Sequence, residues 1–240
     1  MVITMRANNV LGIIYSNAYD SVLSELTNAR TMGSVPFGGR YRLIDFALSN
    51  LVNCGINKVG IITKSNYQSL MDHIGTGKPW DLSRKRGGMF LLPPFNNSHT
   101  GMYRDRIQAL RGIMRFLEQS KEEYIVLMDT NVVCNFDLND MCRAHTESGA
   151  DITIAYHHGR APRLDDLMTF TFEENQKVAK IALDPKTSNP VDYAMNIILI
   201  SKALLTRLIN NAVSLNQDSF VRDVIQHNLK RLNIYGYEVS

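Results

Sequence analysis

Short, compact runs of apolar residues alternate along this chain with segments in which apolar residues recur every three or four positions. The runs at residues 10–14, 59–62 and 124–128 are typical of strands buried on both faces. The segments at 43–54 and 107–117 have the spacing of amphipathic helices. Because parallel strands need crossover connections, this order predicts an α/β fold with a mostly parallel central sheet and right-handed crossovers.

The rest of the chain continues this pattern and shows no linker, internal repeat or low-complexity tract. We therefore expect one domain over residues 1–240. Asn66 and Asp137 are residue types that cap helix N-termini, and Gly55 is the type that ends a helix. The further predicted helices cover 66–74, 137–148, 202–211 and 220–229. The further predicted strands cover 152–156, 169–172, 178–181, 196–200 and 234–239, and those at 169–172 and 178–181 are expected to form a hairpin.

Composition argues against several classes of protein. The 26 lysines and arginines exceed the 23 aspartates and glutamates by only 3, which is a small surplus for a nucleic-acid-binding surface. Cys54, Cys134 and Cys142 are scattered and odd in number, which argues against a disulfide framework or structural zinc. No apolar segment approaches the ~20 residues of a membrane span. We expect a cytoplasmic protein without nucleic-acid or membrane partners.

Three motifs carry a resemblance to a known family. They are V-P-F-G-G-R-Y-R-L-I-D-F-A-L-S-N-L-V-N-C-G-I at 35–56, H-I-G-T-G-K-P-W-D-L at 73–82 and R-G-G-M-F-L-L-P-P at 86–94. In this order they resemble the bacterial ADP-glucose pyrophosphorylases, or glucose-1-phosphate adenylyltransferases. The resemblance implies a Rossmann-like nucleotidyltransferase domain followed by a C-terminal left-handed β-helix. No hexapeptide repeat of such a β-helix occurs in this chain, so we expect a fragment of a longer two-domain protein.

The chemistry of that family makes demands that can be compared with the sequence. Glucose 1-phosphate attacks the α-phosphate of ATP and pyrophosphate leaves, which requires backbone amides, cations and a carboxylate-held magnesium around the phosphates. The family's nucleotide loop reads approximately G-G-x-G-x-R-L. Its glycine positions fall here on Asn17, Ala18 and Asp20, and its arginine falls on Val22. The loop therefore loses its close-approach glycines and one cation, and gains a negative charge.

The remaining family positions also lose their charged phosphate-binding or metal-binding residues, with one exception. The lysine of R-A-K-P-A-V-P is Met32, and the sugar-phosphate lysine of E-K-P is Asp184. The metal-binding aspartate of L-S-G-D-H falls on Thr130, although Asp129 precedes it. The resemblance therefore implies no confident catalytic residue and no metal site, with magnesium required only if the chain is active. In the family's D-F-G-x-D motif, the first aspartate is Ser219 and the second is kept as Asp223.

The phosphate and metal positions are altered while the three motifs are kept, and this combination resembles the GlgD-type regulatory subunits of the family. The resemblance implies a non-catalytic or weakly catalytic role in glycogen synthesis, within a hetero-oligomer that contains a catalytic paralogue. Arg30 and Arg42 match positions that bind a sugar-phosphate or phosphate effector, although surface or interface ion pairs are an equal alternative for them. Arg106 stands where catalytic relatives carry a threonine. With Asp129 and Asp223, it is a candidate vestigial ligand contact.

Two other functions stay open from the sequence. An active glucose-1-phosphate adenylyltransferase would use Asp129 or Asp223 to hold magnesium in a remodelled loop. A nucleotide-sugar sensor would bind its ligand without turnover. The glycine-free loop argues against the first alternative, and equilibrium binding of ATP and ADP-glucose would distinguish the second.

Overall fold

The apolar run that begins at Val10 forms strand β1 (Val10–Tyr15), and all of its residues are buried. The computed structural model describes residues 7–94, 105–184 and 186–239. These divide into two compact units. The first contains the described residues within 6–94 and 120–139, and the second contains those within 105–119 and 140–239. The expectation of a single domain over 1–240 stays a prediction.

The first unit is built on four parallel strands, which lie in the order β6 (Tyr124–Asp129), β1, β4 (Lys58–Ile62) and β5 (Gly88–Leu92). Strand β1 is central, because it pairs with β4 on one side and β6 on the other. The other elements are α1 (Ser24–Thr27), β2 (Pro36–Phe37), β3 (Tyr41–Arg42), α2 (Leu43–Asn53) and α3 (Gln68–Ile74).

Helix α2 lies close against β1 because Gly12 leaves room for it. A Cβ atom on Gly12 would lie 2.6 Å from Leu51 Cδ1, well inside van der Waals contact. The predicted helix end is confirmed, since Cys54 follows the last helical residue and Gly55 has a φ of 86°. The sheet and α2 thus share a tightly packed apolar core.

The second unit contains a mixed sheet and α-helices. Its elements are α4 (Arg106–Gly112), α5 (Met114–Gln119), α6 (Leu138–Ser148, whose first two residues belong to the first unit), β7 (Ile152–Gly159), β8 (Met168–Phe172), β9 (Val178–Leu183), β10 (Val191–Ser201), α7 (Lys202–Ser214) and β11 (Ile234–Glu238). Strand β7 pairs in parallel with β11 and antiparallel with β10, while β8 pairs antiparallel with both β10 and β9. The predicted β8–β9 hairpin is confirmed.

Several predicted boundaries are wrong, each for a local reason. Asn66 does not cap α3: it has a φ of 53°, its side-chain amide donates to Asn28 O, and the helix begins at Gln68. The helix predicted over 107–117 is divided at Ile113 into α4 and α5. The segment predicted as one helix over 220–229 is a π-helix (Phe220–Ile225) followed by a 3-10 turn (Gln226–Asn228). Strands β7 and β10 extend beyond their apolar runs into polar residues.

Within the described ranges, no helix combines the length and apolar character that crossing a membrane requires.

One histidine couples the stability of the second unit to pH. His145 on α6 is buried, and its Nδ1 lies 2.7 Å from the Thr153 hydroxyl of β7. Burial lowers the pKa of His145 from 6.5 to about 4, against the opposing charge of Asp151. Unfolding therefore takes up a proton at His145 between these two pH values.

We predict that the free energy of unfolding falls as the pH is lowered from 6.5 to about 4. The stability contributed by neutral His145 is complete above the unfolded pKa and is lost as the pH approaches the folded one. His145→Gln should make the fall shallower, measured by chemical denaturation at a series of pH values. His158→Gln, at an exposed histidine of β7, is the control. Equal slopes in the parent and His145→Gln would contradict the prediction.

Candidate functional site

The loop that follows β1 is closed by its own side chains. Ser16 Oγ donates to Ile62 O at 2.9 Å, at the end of the neighbouring strand β4. Asn17 Nδ2 donates to Asp20 Oδ2 at 2.6 Å and to Ser65 O at 3.2 Å. Asn17 Oδ1 in turn accepts from the Lys64 amide at 2.7 Å. Asn17, which the family resemblance aligns with a glycine, therefore joins the loops that follow β1 and β4.

Asp20 places a carboxylate where this loop turns back towards the sheet. Its Oδ1 accepts from the Met32 amide at 2.8 Å. Burial raises the pKa of Asp20, and the hydrogen bonds from Asn17 and Met32 and the charge of Lys64 oppose that rise. In phosphate-binding loops, backbone N–H groups point at the bound anion. Here an amide of the loop is satisfied by the protein's own anion.

The rest of the loop is compact rather than open. Residues Asp20–Leu23 form a 3-10 turn that leads into α1, and Thr27 Oγ1 donates to Asp20 O at 2.6 Å. Ala18 lies in the bend before this turn and is half-buried. Val22, where the family has an arginine, is 46% exposed. The loop therefore presents an apolar side chain to solvent at the position that the family resemblance assigns to an arginine.

Met32 is a core residue. It is 2% exposed and packs with Val35, Leu43 and the partly buried Tyr19. A lysine in this packing would bury an ammonium group among apolar side chains, which is costly without a partner. The structure therefore uses this position for packing and leaves it unsuited to a phosphate contact.

The end of β6 lies beside the end of β1, since Tyr15 pairs with Asp129 in the parallel register. Asp129 is buried at 1% exposure. Thr130 is also buried, and its hydroxyl donates to Tyr15 O at 3.4 Å. A Cβ atom added to Gly33 would lie 3.2 Å from the Thr130 methyl group. Thr130, which the family resemblance aligns with a metal-binding aspartate, is thus packed close to Gly33 and bonded to Tyr15.

Asp184, in the second unit, holds two turns together. It has a φ of 49° and directly follows β9. Its amide donates to Leu167 O at 3.0 Å, and its Oδ1 accepts from the Leu167 amide at 3.0 Å. The carboxylate that replaces the family's sugar-phosphate lysine is therefore bonded to backbone.

Ser219 and Asp223 form the N-terminal cap of the π-helix. Ser219 Oγ accepts from the Arg222 amide at 3.1 Å. Asp223 accepts from the Ser219 amide at 3.0 Å and from the Arg222 guanidinium at both carboxylate oxygens, at 3.0 and 3.1 Å. The Arg222 hydrogen bond is the main reason that the pKa of Asp223 is lowered. The spacing of Asp218 and Arg222, which also pair at 2.8 Å, is a sequence signal for this cluster that the sequence analysis missed.

Arg106 and Asp184 lie in the same electrostatic neighbourhood. The Arg106 guanidinium lies 5.8 Å from the centre of the Phe220 ring. Burial and then the Asp184 charge raise the pKa of Asp166, while Arg222 and Arg106 lower it. The second unit therefore brings together Arg106, Asp184 and the Asp223 cap, through an aspartate that the sequence analysis did not identify.

The two predicted anion-binding arginines play different parts. Arg42 Nη1 donates to the backbone oxygen and the hydroxyl of Ser69, so that it ties α3 to the start of α2. Asp45 completes this junction by accepting from the Arg42 amide at 2.9 Å and lying 2.6 Å from His73 Nε2. Arg30 is half-buried. An effector role for this pair stays a prediction.

Thr130 and Asp223 do not fit the magnesium that the family resemblance implies for an active enzyme. Magnesium needs carboxylate oxygens free to coordinate it. Asp223 is occupied by Arg222 and two backbone amides, and position 130 offers a packed hydroxyl instead of a carboxylate. Among the residues that the structure describes, no three His, Cys, Asp or Glu side chains are grouped as metal ligands.

Comparison with known proteins identifies the family. The model of the nucleotidyl transferase family matches residues 12–235, and the chain belongs to that family. The expected Rossmann-like nucleotidyltransferase fold is confirmed. A putative glucose-1-phosphate thymidylyltransferase from Bacillus anthracis shares it, with a TM-score of 0.74 over 96% of this chain and 87% of that one, at 17% identity.

Among curated relatives, the chain is similar to the glycogen biosynthesis protein GlgD of Bacillus subtilis and of Geobacillus stearothermophilus. It is 35% identical to the first over 77% of this chain and 56% of the relative, and 41% identical to the second over 64% and 45%. It is 29% identical to the glucose-1-phosphate adenylyltransferase of Clostridium kluyveri over 97% of this chain and 62% of the relative. The chain thus spans about half the length of the GlgD proteins that it matches.

We predict that Asp20→Ala destabilises the first unit by about 1–3 kcal/mol, because it leaves the Met32 amide without its acceptor. Glu25→Ala removes an acidic side chain from the same exposed segment and should change stability by less than about 0.5 kcal/mol. Urea denaturation followed by circular dichroism measures both. Equal stabilities of the two variants would show that the Asp20 hydrogen bonds do not hold the loop.

Proposed function

We propose that this chain is the nucleotidyltransferase part of a regulatory, non-catalytic subunit of glucose-1-phosphate adenylyltransferase, acting in glycogen biosynthesis. The observation that carries the proposal is the Asp20 carboxylate bonded to the Met32 amide inside the loop after β1. A nucleoside triphosphate would meet this carboxylate where the family resemblance places close-approaching glycines. The negative charges of the phosphates and of the carboxylate would repel each other.

The other altered positions support the same proposal. Met32 is part of the core, Asp184 is bonded to Leu167, and Asp223 is bonded to Arg222. Removing one electrostatic contact to a transition state costs about 10²–10³ in rate. The losses at several positions together would bring turnover close to the uncatalysed rate.

The relatives also support this proposal. GlgD of Bacillus subtilis carries a glycogen biosynthesis name, and the Clostridium kluyveri relative carries the name of the adenylyltransferase itself. A chain that keeps the fold while its phosphate positions become structural fits a paralogue of the enzyme. Its partner would then be the catalytic subunit, and its effector a sugar phosphate or phosphate.

We predict that this protein alone forms no ADP-glucose from ATP and glucose 1-phosphate, yet changes the rate or effector response of a catalytic paralogue. In this chain the phosphates of ATP would lack cationic and metal contacts, which the catalytic paralogue would supply. Coupled assays of pyrophosphate release, with each protein alone and with the mixture, measure both effects.

Different results would support the other candidate functions. Turnover by this protein alone, abolished by Asp129→Ala, would establish the active-enzyme alternative. Saturable ADP-glucose binding without any effect on the paralogue would establish the sensor. No effect on the partner and no ligand binding would contradict the regulatory proposal.

The loop after β1 and helix α1 supply a candidate contact with the catalytic paralogue. Val22, Leu23 and Leu26 are 46, 42 and 52% exposed within five positions of the chain. Single exposed apolar residues are common, but a group on one short turn and helix marks an interaction surface. A catalytic paralogue that covers them would bury side chains that the sequence change has placed at the surface.

We predict that Leu26→Glu weakens association with the catalytic paralogue by about tenfold, because it places a charge in a dehydrated contact. Leu215→Glu changes a side chain that is 60% exposed in the second unit, and should leave association unchanged. Sedimentation of the mixed proteins measures both. A Leu26→Glu mixture that assembles like the parent would move the interface elsewhere.

A further inference from the structure

An open cleft of about 650 Å³ lies wholly within the second unit. One wall is the turn after β7, residues 160–165 and 167, and the other is the segment after β9, including 184 and 186–188. Its volume is in the range of sites that bind small metabolites. None of the site positions marked by the family resemblance, apart from Asp184, lines it.

Three cationic side chains line this cleft. Arg160, Arg163 and Lys186 are all exposed, and over the described residues none of them forms a hydrogen bond or an ion pair. Exposed arginines on turns commonly pair with nearby carboxylates, and both Asp165 and Asp184 also line the cleft. Asp184, however, has an oxygen bonded to the Leu167 amide. The lining therefore holds three cations against two carboxylates, a net charge of +1, and within the described ranges its cationic side chains are not paired with those carboxylates.

Hydroxyl groups add directional donors beside these cations. Thr187 and Ser188 lie on the same wall as Lys186. Thr187 Oγ1 accepts from the Asn189 amide at 3.1 Å, which leaves its hydroxyl hydrogen available to a ligand. Guanidinium groups bind phosphate oxygens in pairs, and an ammonium adds a point charge. This set of groups is complementary to a phosphate dianion.

We infer that this cleft binds the phosphate group of a small phosphorylated metabolite, with Arg160, Arg163 and Lys186 as its cationic contacts. Inorganic phosphate offers the same chemistry and is the other possible source of the ligand. In the proposed regulatory function this cleft is the effector site, and its regulatory consequence rests on that function. The position differs from Arg42, whose guanidinium is bonded to Ser69.

Isothermal titration of the chain alone with glucose 6-phosphate and with inorganic phosphate tests the inference. Saturable binding of either ligand, weakened by added salt, is expected. Arg160→Gln and Arg163→Gln should each weaken binding by about tenfold, since each removes a charge-assisted contact. Arg207→Gln, which removes the same charge from an exposed position on α7 outside the cleft, should leave the affinity unchanged.

The affinity of Asp165→Asn for inorganic phosphate is a second test, because this variant should bind more tightly than the parent. Removing this carboxylate from the lining should strengthen the binding of inorganic phosphate, because it removes a repulsive charge. Tighter binding of the sugar phosphate than of inorganic phosphate would identify an ester as the ligand; equal affinities would identify phosphate itself. Circular dichroism of each variant separates a lost contact from a lost fold.

Absence of saturable binding at millimolar concentrations overturns the inference. So does binding that Arg160→Gln and Arg163→Gln leave as strong as in Arg207→Gln. Because no partner protein is present, these outcomes are independent of the mixing assay. A chain that binds phosphate here but has no effect on a catalytic paralogue keeps the site and contradicts the regulatory function.

Discussion

The parallel register of β1 with β4 and β6 is the constraint on which the first unit depends. Tyr15 lies opposite Ile62 on one side and Asp129 on the other. The chain therefore leaves all three strands at the same edge of the sheet, as parallel strands require. The loop after β1 can reach the loop after β4 through Asn17, and Thr130 can close on Tyr15. The parallel register brings these loops together, and the side chains at this edge decide what they can bind.

A common principle connects the altered positions. Asp20, Asp184 and Asp223 each accept hydrogen bonds from backbone amides of turns. A carboxylate in this role stabilises a turn much as a bound anion would, without any ligand. Each of these turns is held by hydrogen bonds within the protein itself.

Much of the fold was predictable because burial imposes periodicity. The strands of the first unit and helix α2 were located within one residue at most boundaries, since both depend on repeating apolar patterns. The prediction was wrong where a single polar side chain had two possible partners. Asn66 is a good cap by type, but its amide binds Asn28 O, 38 residues earlier in the chain. The break at Ile113 and the π-helix after Ser219 likewise lack a periodic signal.

The sequence by itself determined the residue types at the positions that the family resemblance marks: Asn17, Ala18 and Asp20 after β1, and Met32 and Asp184 further along the chain. The charge at each position is a property of the residue type, and no folding is needed to recognise it. Only the tertiary structure decided what the replacements bind. Asp20 reaches an amide 12 residues away and Asp184 one 17 residues away, while Arg160, Arg163 and Lys186 meet around one cleft. Such partners depend on the path of the backbone between them, because hydrogen bonds and charge pairs act over a few ångströms of space, whatever the separation in sequence.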